Sequence, residues 1–258
     1  MSDVLEGSTL LGVLAAGVLA GLASGLFGVG GGILMVPAAL YLVPGTDFHT
    51  AKAVSLVVIV ASAGIGIWTH HRHRSVSFRN GALLAVGGFG GAAASVFAVE
   101  RIDDGALTAA FGLVLAAMGA RLAFAANPKP REMSKRAQAA YLVALGVLSG
   151  LLSGAFGVGG GIVMVPGMVF AGIGMHLAVG TSLVAVLGNA IGGTASHVAL
   201  GYGEVLLALG VPLAIGAVPA TYLGSKLAHK LHADRLKRAF GGFLVLVGLW
   251  MAADALWL

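Results

Sequence analysis

Seven stretches of the chain contain no Asp, Glu, Lys or Arg: residues 7–46, 53–71, 80–99, 105–120, 137–203, 205–225 and 239–253. A helix needs about 20 apolar residues to cross the hydrocarbon of a bilayer. Runs 53–71, 80–99 and 205–225 each suit one crossing, while 105–120 and 239–253 do so by borrowing flanking residues. Run 7–46 has room for two passages or for one helix and a short re-entrant piece, and run 137–203 for the same pair plus one full span. Composition agrees, since 58% of the 258 residues are apolar, a further 42 are glycine, and only 10% are charged. A soluble chain carries about 25% charge, and this one could not cover its own surface. The expectation is an all-α integral membrane protein with about eight spanning helices plus short broken or re-entrant Gly-rich segments.

A repeat organises these runs. Residues 21–37 read GLASGLFGVGGGILMVP and residues 150–166 read GLLSGAFGVGGGIVMVP, identical at 14 of 17 positions with an offset of 129. At an offset of 127, His49 answers His176, Ser55 answers Ser182 and His70 answers His197. Phe111-Gly112 and Phe240-Gly241 return to 129. The chain therefore divides into a first transmembrane repeat, 1–125, a polar linker, 126–136, and a second repeat, 137–258.

Charge gives the topology. Basic residues concentrate in loops 70–79, 121–136 and 226–238, which the positive-inside rule places in the cytoplasm. Acidic or neutral segments near Asp3–Glu6, Asp47, Glu100–Asp104, Glu204 and Asp254 then lie outside, with both termini. Loop 70–79 is basic, whereas its mate near 197–206 has no Lys or Arg, so the halves point opposite ways. Such inverted repeats are common in secondary transporters of the cell membrane. The acidic N-terminus lacks the positive region of a signal peptide, so the first apolar run is expected to stay. Without cysteine there is no disulfide framework, thiolate metal site or iron–sulfur cluster, and no cofactor or metal is expected. Basic residues confined to short loops do not form a nucleic-acid groove.

Chemistry is sought first in the segments Gly28–Ile33 and Gly157–Ile162. Clustered glycines are poor helix interior, and broken backbone at membrane depth is tolerated only when buried in protein or lining a wet cavity. The pattern predicts a helix ending near Phe27, a glycine loop, and a short helix starting near Ile33 with Pro37, and its mate Pro166, in the first turn. Free N–H groups at such a helix start bind an anion without a charged side chain. The candidate substrate-binding residues are Gly28, Gly30, Gly31 and Gly32 with Gly157, Gly159, Gly160 and Gly161. The hydroxyls and amide of Ser24, Ser55, Ser153, Thr181, Ser182 and Asn189 join them. Gly17, Gly21 and Gly25 have the spacing of a close helix–helix contact. His70, His197 and Lys52 are candidates for coupling or gating, the histidines as proton carriers because no carboxylate lies at mid-membrane depth. Near an outer helix end Lys52 is expected to snorkel, the other reading being that it gathers an anion at the mouth. The tryptophans, Trp68 among them, read as interface anchors or core.

The twin G-L-x-S-G-x-F-G-V-G-G-G-I-x-M-V-P segments, Ala178-Val179-Gly180-Thr181-Ser182 and His70-His71-Arg72-His73-Arg74-x-Val76 resemble the sulfite exporter TauE/SafE family of membrane permeases. The resemblance covers nearly the whole chain. It implies a carrier of small sulfur-containing anions, such as sulfite or organosulfonates, across the cytoplasmic membrane. The first half departs from the pattern, with Lys52-Ala53-Val54-Ser55 where Val-Gly-Thr-Ser is expected. The resulting reading is a secondary anion transporter working by alternating access in a lipid bilayer, with possible proton coupling. An anion channel using the same site is the alternative. A membrane enzyme and a metal-cation carrier rank lower, because the uncharged cores offer no acid, base or carboxylate ligand.

Overall fold

A computed structural model of the chain describes residues 7–27, 31–43, 45–124, 133–228 and 233–257. They form ten helices: α1 Gly7–Phe27, α2 Gly32–Leu42, α3 Phe48–Arg72, α4 Phe78–Val99, α5 Asp104–Phe124, α6 Lys135–Phe156, α7 Gly161–Phe170, α8 Met175–Ala199, α9 Gly203–Ala228 and α10 Ala233–Trp257. No strand occurs among the described residues. Eight helices are 21 to 26 residues long and α2 and α7 have only 11 and 10. Five of the long ones, α3, α4, α6, α8 and α9, are long and apolar enough to cross a membrane. The chain is thus an all-helical, multi-pass membrane protein with two short helices set among long ones.

Local sequence explains the boundaries. The Asp47 carboxylate accepts from the Thr50 N–H at 2.6 Å to start α3, and the hydroxyls of Ser77 and Ser134 start α4 and α6 in the same way. α1 ends at Phe27 and α2 begins at Gly32, as the sequence predicts. The prolines differ from expectation. Pro37 and Pro166 are each the sixth residue of their short helix, beyond the first turn. Lacking N–H groups, they leave the Ile33 and Ile162 carbonyls without an intrahelical donor. The short helices tolerate this because each is held from the side, α2 by α1 and α3, α7 by α6 and α8.

Packing repeats itself when the chain positions are exchanged. α1 lies along α9, with Gly17, Gly21 and Gly25 against Leu213, Ala217 and Thr221. α6 lies along α4 in the same register, with Gly146, Gly150 and Gly154 against Leu84, Gly88 and Ala92. Both pairs run parallel, backbone on backbone, as small residues every fourth position allow. α3 crosses α8 antiparallel, with Leu56 beside Gly193 and Gly66 beside Leu183. α5 crosses α10 antiparallel as well, with Gly112 on Gly248 and Gly119 on Gly241. Swapping α1–α5 for α6–α10 maps every one of these contacts onto another. The mates α3 and α8 point opposite ways, which is the geometry of an inversion.

Candidate functional site

The start of α2 meets the second glycine loop beside the α3–α8 crossing. Gly32, the first residue of α2, packs on the Gly157 carbonyl and Val158 of the other loop and on Ile59 of α3. Left-handed backbone makes the loops possible. Gly157 ends α6 at φ 70° and Gly160 precedes α7 at φ 82°, a region that costs any other L-residue about 1–2 kcal/mol. Gly31 takes the same conformation before α2, and Gly159 within the second loop. Gly28 and Gly30 lie outside the described residues.

Neither short helix has a side-chain cap. The Gly31 carbonyl takes the N–H groups of Leu34 and Met35, and the Gly160 carbonyl those of Val163 and Met164. This leaves the N–H groups of Gly32 and Ile33, and of Gly161 and Ile162, without intrahelical acceptors. No Asp, Glu, Lys or Arg belongs to α2, α7 or α8, and α3 carries only Lys52 and Arg72. The meeting point is lined by backbone N–H groups and small polar side chains, with Lys52, whose backbone lies against Gly157, the one fully charged residue beside it among the described residues.

Those side chains divide between several places. The Ser55 hydroxyl lies 2.6 Å from the Gly157 carbonyl and 2.9 Å from that of Lys52, donating to one at a time. The Asn189 amide donates to the Gly159 carbonyl at 3.0 Å and to the Ser149 hydroxyl at 3.4 Å, while its own oxygen is buried without a partner. Ser24 and Ser153, each before a glycine loop, are wholly buried, and their hydroxyls also lack partners. Thr181 and Ser182 sit toward the other end of α8. Thr181 accepts from the Ser77 N–H at 2.9 Å, and Ser182 donates to the Val179 carbonyl at 2.7 Å. By the α3–α8 register, Ser55 and Thr181 are about 20 Å apart along the pair, so the hydroxyls do not form one cluster.

One asymmetry breaks the repeat at the loops. Gly31 and Ser62, with Ala20, Met35 and Val58, line a narrow gap too tight for a water molecule. In the second half Ser149 and Asn189 occupy the positions of Ala20 and Ser62 and fill the equivalent space against Gly160. The repeat offsets make this substitution readable from sequence, although the sequence-derived candidates include neither Ser62 nor Ser149.

The histidines stand at opposite ends. His197 is level with Lys52 and His70 with Val179, which separates the two rings by about 27 Å along the helices, close to the ~30 Å of a hydrocarbon core. Lys52 does not snorkel. Its side chain is completely buried, with the ammonium 4.0 Å from the Glu100 carboxylate. His49 lies 3.6 Å from both Glu100 and Asp104, and the Tyr202 hydroxyl donates to Glu100 at 3.0 Å. Burial, reinforced by that bond to Glu100, holds the Tyr202 phenol far above its ordinary pKa, so it remains a donor. The His197 ring lies edge-on to Tyr202 at 5.5 Å, with Nδ1 2.8 Å from the Gly193 carbonyl and Nε2 buried without a partner. Sequence reasoning missed the roles of His49, Glu100, Asp104 and Tyr202, which come from the first turn of α3, the α4–α5 turn with the start of α5, and the α8–α9 turn. Only the oddity of Lys52 within an apolar run pointed there.

This cluster ties α3 to the α4–α5 and α8–α9 turns. Removing one partner of a buried ion pair is far costlier than replacing the pair by apolar groups. Glu100→Gln is expected to destabilise the protein by about 2–4 kcal/mol. Lys52→Met leaves Glu100 the Tyr202 hydroxyl and His49 as partners and removes an ammonium that burial disfavours, so it is expected to cost less, about 1 kcal/mol. Thermal unfolding in detergent checks both, and a loss from Lys52→Met as large as that from Glu100→Gln would show that Tyr202 and His49 do not sustain Glu100 without the lysine.

Comparisons with known proteins point the same way. Residues 13–251 match the family described as sulfite exporter TauE/SafE. Similar proteins include a probable membrane transporter protein of Xylella fastidiosa, 29% identical over 249 residues, covering 94% of this chain and 95% of that one. One from Haemophilus influenzae is 29% identical over 259 residues (92% and 96%). One from Methanocaldococcus jannaschii is 27% identical over 253 residues (93% and 94%). No solved structure matches the chain. These names indicate transport across a membrane rather than catalysis. With the match running through both glycine loops and all of the packed helix pairs, the chain belongs to the sulfite exporter TauE/SafE family of membrane transporters.

Proposed function

We propose that this protein is a secondary transporter that moves a small sulfur-containing anion, of the sulfite or organosulfonate class, across the cytoplasmic membrane by alternating access. The observation that carries the reading is the packing of the uncapped start of α2 on the Gly157–Val158 loop of the other half. An anion held there receives N–H groups from a broken helix and hydroxyls from its neighbours, with no buried carboxylate to repel it. The first repeat, 1–125, and the second, 137–258, rock about this place, joined by the linker 126–136. Loops 70–79, 121–136 and 226–238 face the cytoplasm and both termini face outward. His197, with Lys52 and Glu100 in electrostatic reach, serves proton coupling or gating on the outer side, and His70 its counterpart on the inner side.

In this reading the narrow gap beside Gly31 widens into the binding space when the halves rock. Asn189 supplies in the second half what the substrate supplies in the first. Ligand-dependent thermal stabilisation of the purified protein tests both points, with sulfite, sulfate, thiosulfate, taurine, sulfoacetate, small carboxylates and divalent metals as the panel. A saturable shift of several degrees with one sulfur anion is expected. The double variant Ala20→Ser/Ser62→Asn, which writes the second half's filling into the first, is expected to fold and to lose that shift. A response to carboxylates or metals alone sinks the substrate class. An unchanged shift in the double variant removes the gap beside Gly31 from the site.

A further inference from the structure

α3 and α9 run parallel and finish at the same end of the molecule, where their last turns form an unusual pair. The rings of Trp68 and Tyr222 lie 6.2 Å apart, tilted by 32°. One turn further along each helix stands a cation over its own ring. The Arg72 guanidinium is 5.0 Å from the Trp68 centroid, and the Lys226 ammonium is 4.4 Å from that of Tyr222. Among the described side chains neither cation has a carboxylate partner; the ion pairs found involve His49 and Lys52 alone. Trp68 is half exposed, and on α9 Leu223 and Leu227, next in sequence to Tyr222 and Lys226, present apolar surface at 59% and 40% exposure.

We infer that this corner is a binding site for the headgroup phosphate of an anionic phospholipid. Each ring holds its cation in place, so less side-chain freedom is lost when a phosphate arrives. Arg72 has N–H groups in a planar fork that suits two phosphate oxygens, and Lys226 adds a point charge. The aromatic pair stands in the last two turns of two helices long and apolar enough to cross a membrane, the region of such helices where Trp and Tyr favour the water–lipid boundary. The exposed leucines continue from it as a bed for an acyl chain. A free phosphate ion has no use for that bed, which is why the occupant is a lipid. Neither cation belongs to the proposed transport site, so the inference stands or falls apart from the substrate.

The test compares melting temperatures of the full-length protein in nanodiscs of pure phosphatidylcholine and of phosphatidylcholine with phosphatidylglycerol, together with native mass spectra of retained lipid. Wild type is expected to gain several degrees from phosphatidylglycerol and to retain it at least tenfold more than phosphatidylcholine. Arg72→Gln/Lys226→Gln is expected to lose most of both effects, and each single variant part of them. The difference between the two lipids is taken within each variant, so a general loss of stability cancels, and the single variants serve if the double variant does not fold. Arg79→Gln, a neighbouring basic residue outside the corner, is expected to behave as wild type. Undiminished selectivity in the Arg72 and Lys226 variants would overturn the site. An equal gain from millimolar inorganic phosphate in detergent would overturn the lipid as its occupant.

Discussion

Gly150→Leu is expected to abolish the folded protein, with a loss beyond about 4–5 kcal/mol. A side chain at Gly150 meets the Gly88 carbonyl and backbone across the α4–α6 contact. No rotamer avoids this, because the Cβ itself has no room and the helices cannot separate without opening the whole stripe from Gly146 to Gly154. Gly21→Leu is expected to do the same at α1–α9, where the Ala217 carbonyl stands in the way. Gly90 supplies the control. It lies on the same helix as Gly88, and a Cβ there would have nothing within 4 Å, so Gly90→Leu should leave stability within about 0.5 kcal/mol. Size-exclusion profiles and thermal unfolding in detergent separate these outcomes. Equal tolerance of leucine at Gly150 and Gly90 would mean that α4 and α6 do not touch as described.

The second large effect concerns transport. Gly157→Ala is expected to lower flux at least tenfold while the protein still folds. Its φ of 70° disfavours alanine, and the added methyl meets Ser55 Oγ at 2.5 Å and the Lys52 carbonyl at 2.7 Å. The loop must then shift from α3 at the place where Gly32 packs on it. Gly201→Ala isolates the conformational part, because Gly201 has φ 94° and open space around it. Both variants carry left-handed strain of about 1–2 kcal/mol. Only Gly157→Ala disturbs the meeting of the loops, so Gly201→Ala should keep flux within about twofold of wild type.

Much of this arrangement is legible in the amino-acid order, because repeats and small-residue spacing are local signals. The uncharged runs locate the long helices, and the doubled GVGGGI locates both breaks. The Gly17–Gly21–Gly25 spacing announces a close contact but not that α9 is the partner, since nothing local encodes a contact some 200 residues away in the chain. Sequence reasoning puts the prolines a turn too early: the helices start at Gly32 and Gly161 and accept Pro37 and Pro166 because their neighbours hold them. Lys52 stands out as a cation in an apolar run. Its burial against Glu100 depends on turns that the fold alone assembles around it. The hydroxyls shared by both halves suggest one shared cluster. Inversion spreads them instead, since antiparallel mates carry equivalent residues to opposite sides of the crossing.

The most direct test is concentration-dependent uptake of radiolabelled sulfite into proteoliposomes, run side by side for wild type, Gly157→Ala and Gly201→Ala. Saturable uptake by wild type and Gly201→Ala, with Gly157→Ala at least tenfold lower, is the expected result for a carrier whose substrate binds where the two glycine loops meet. Uptake that never saturates, or wild-type uptake by Gly157→Ala, contradicts it.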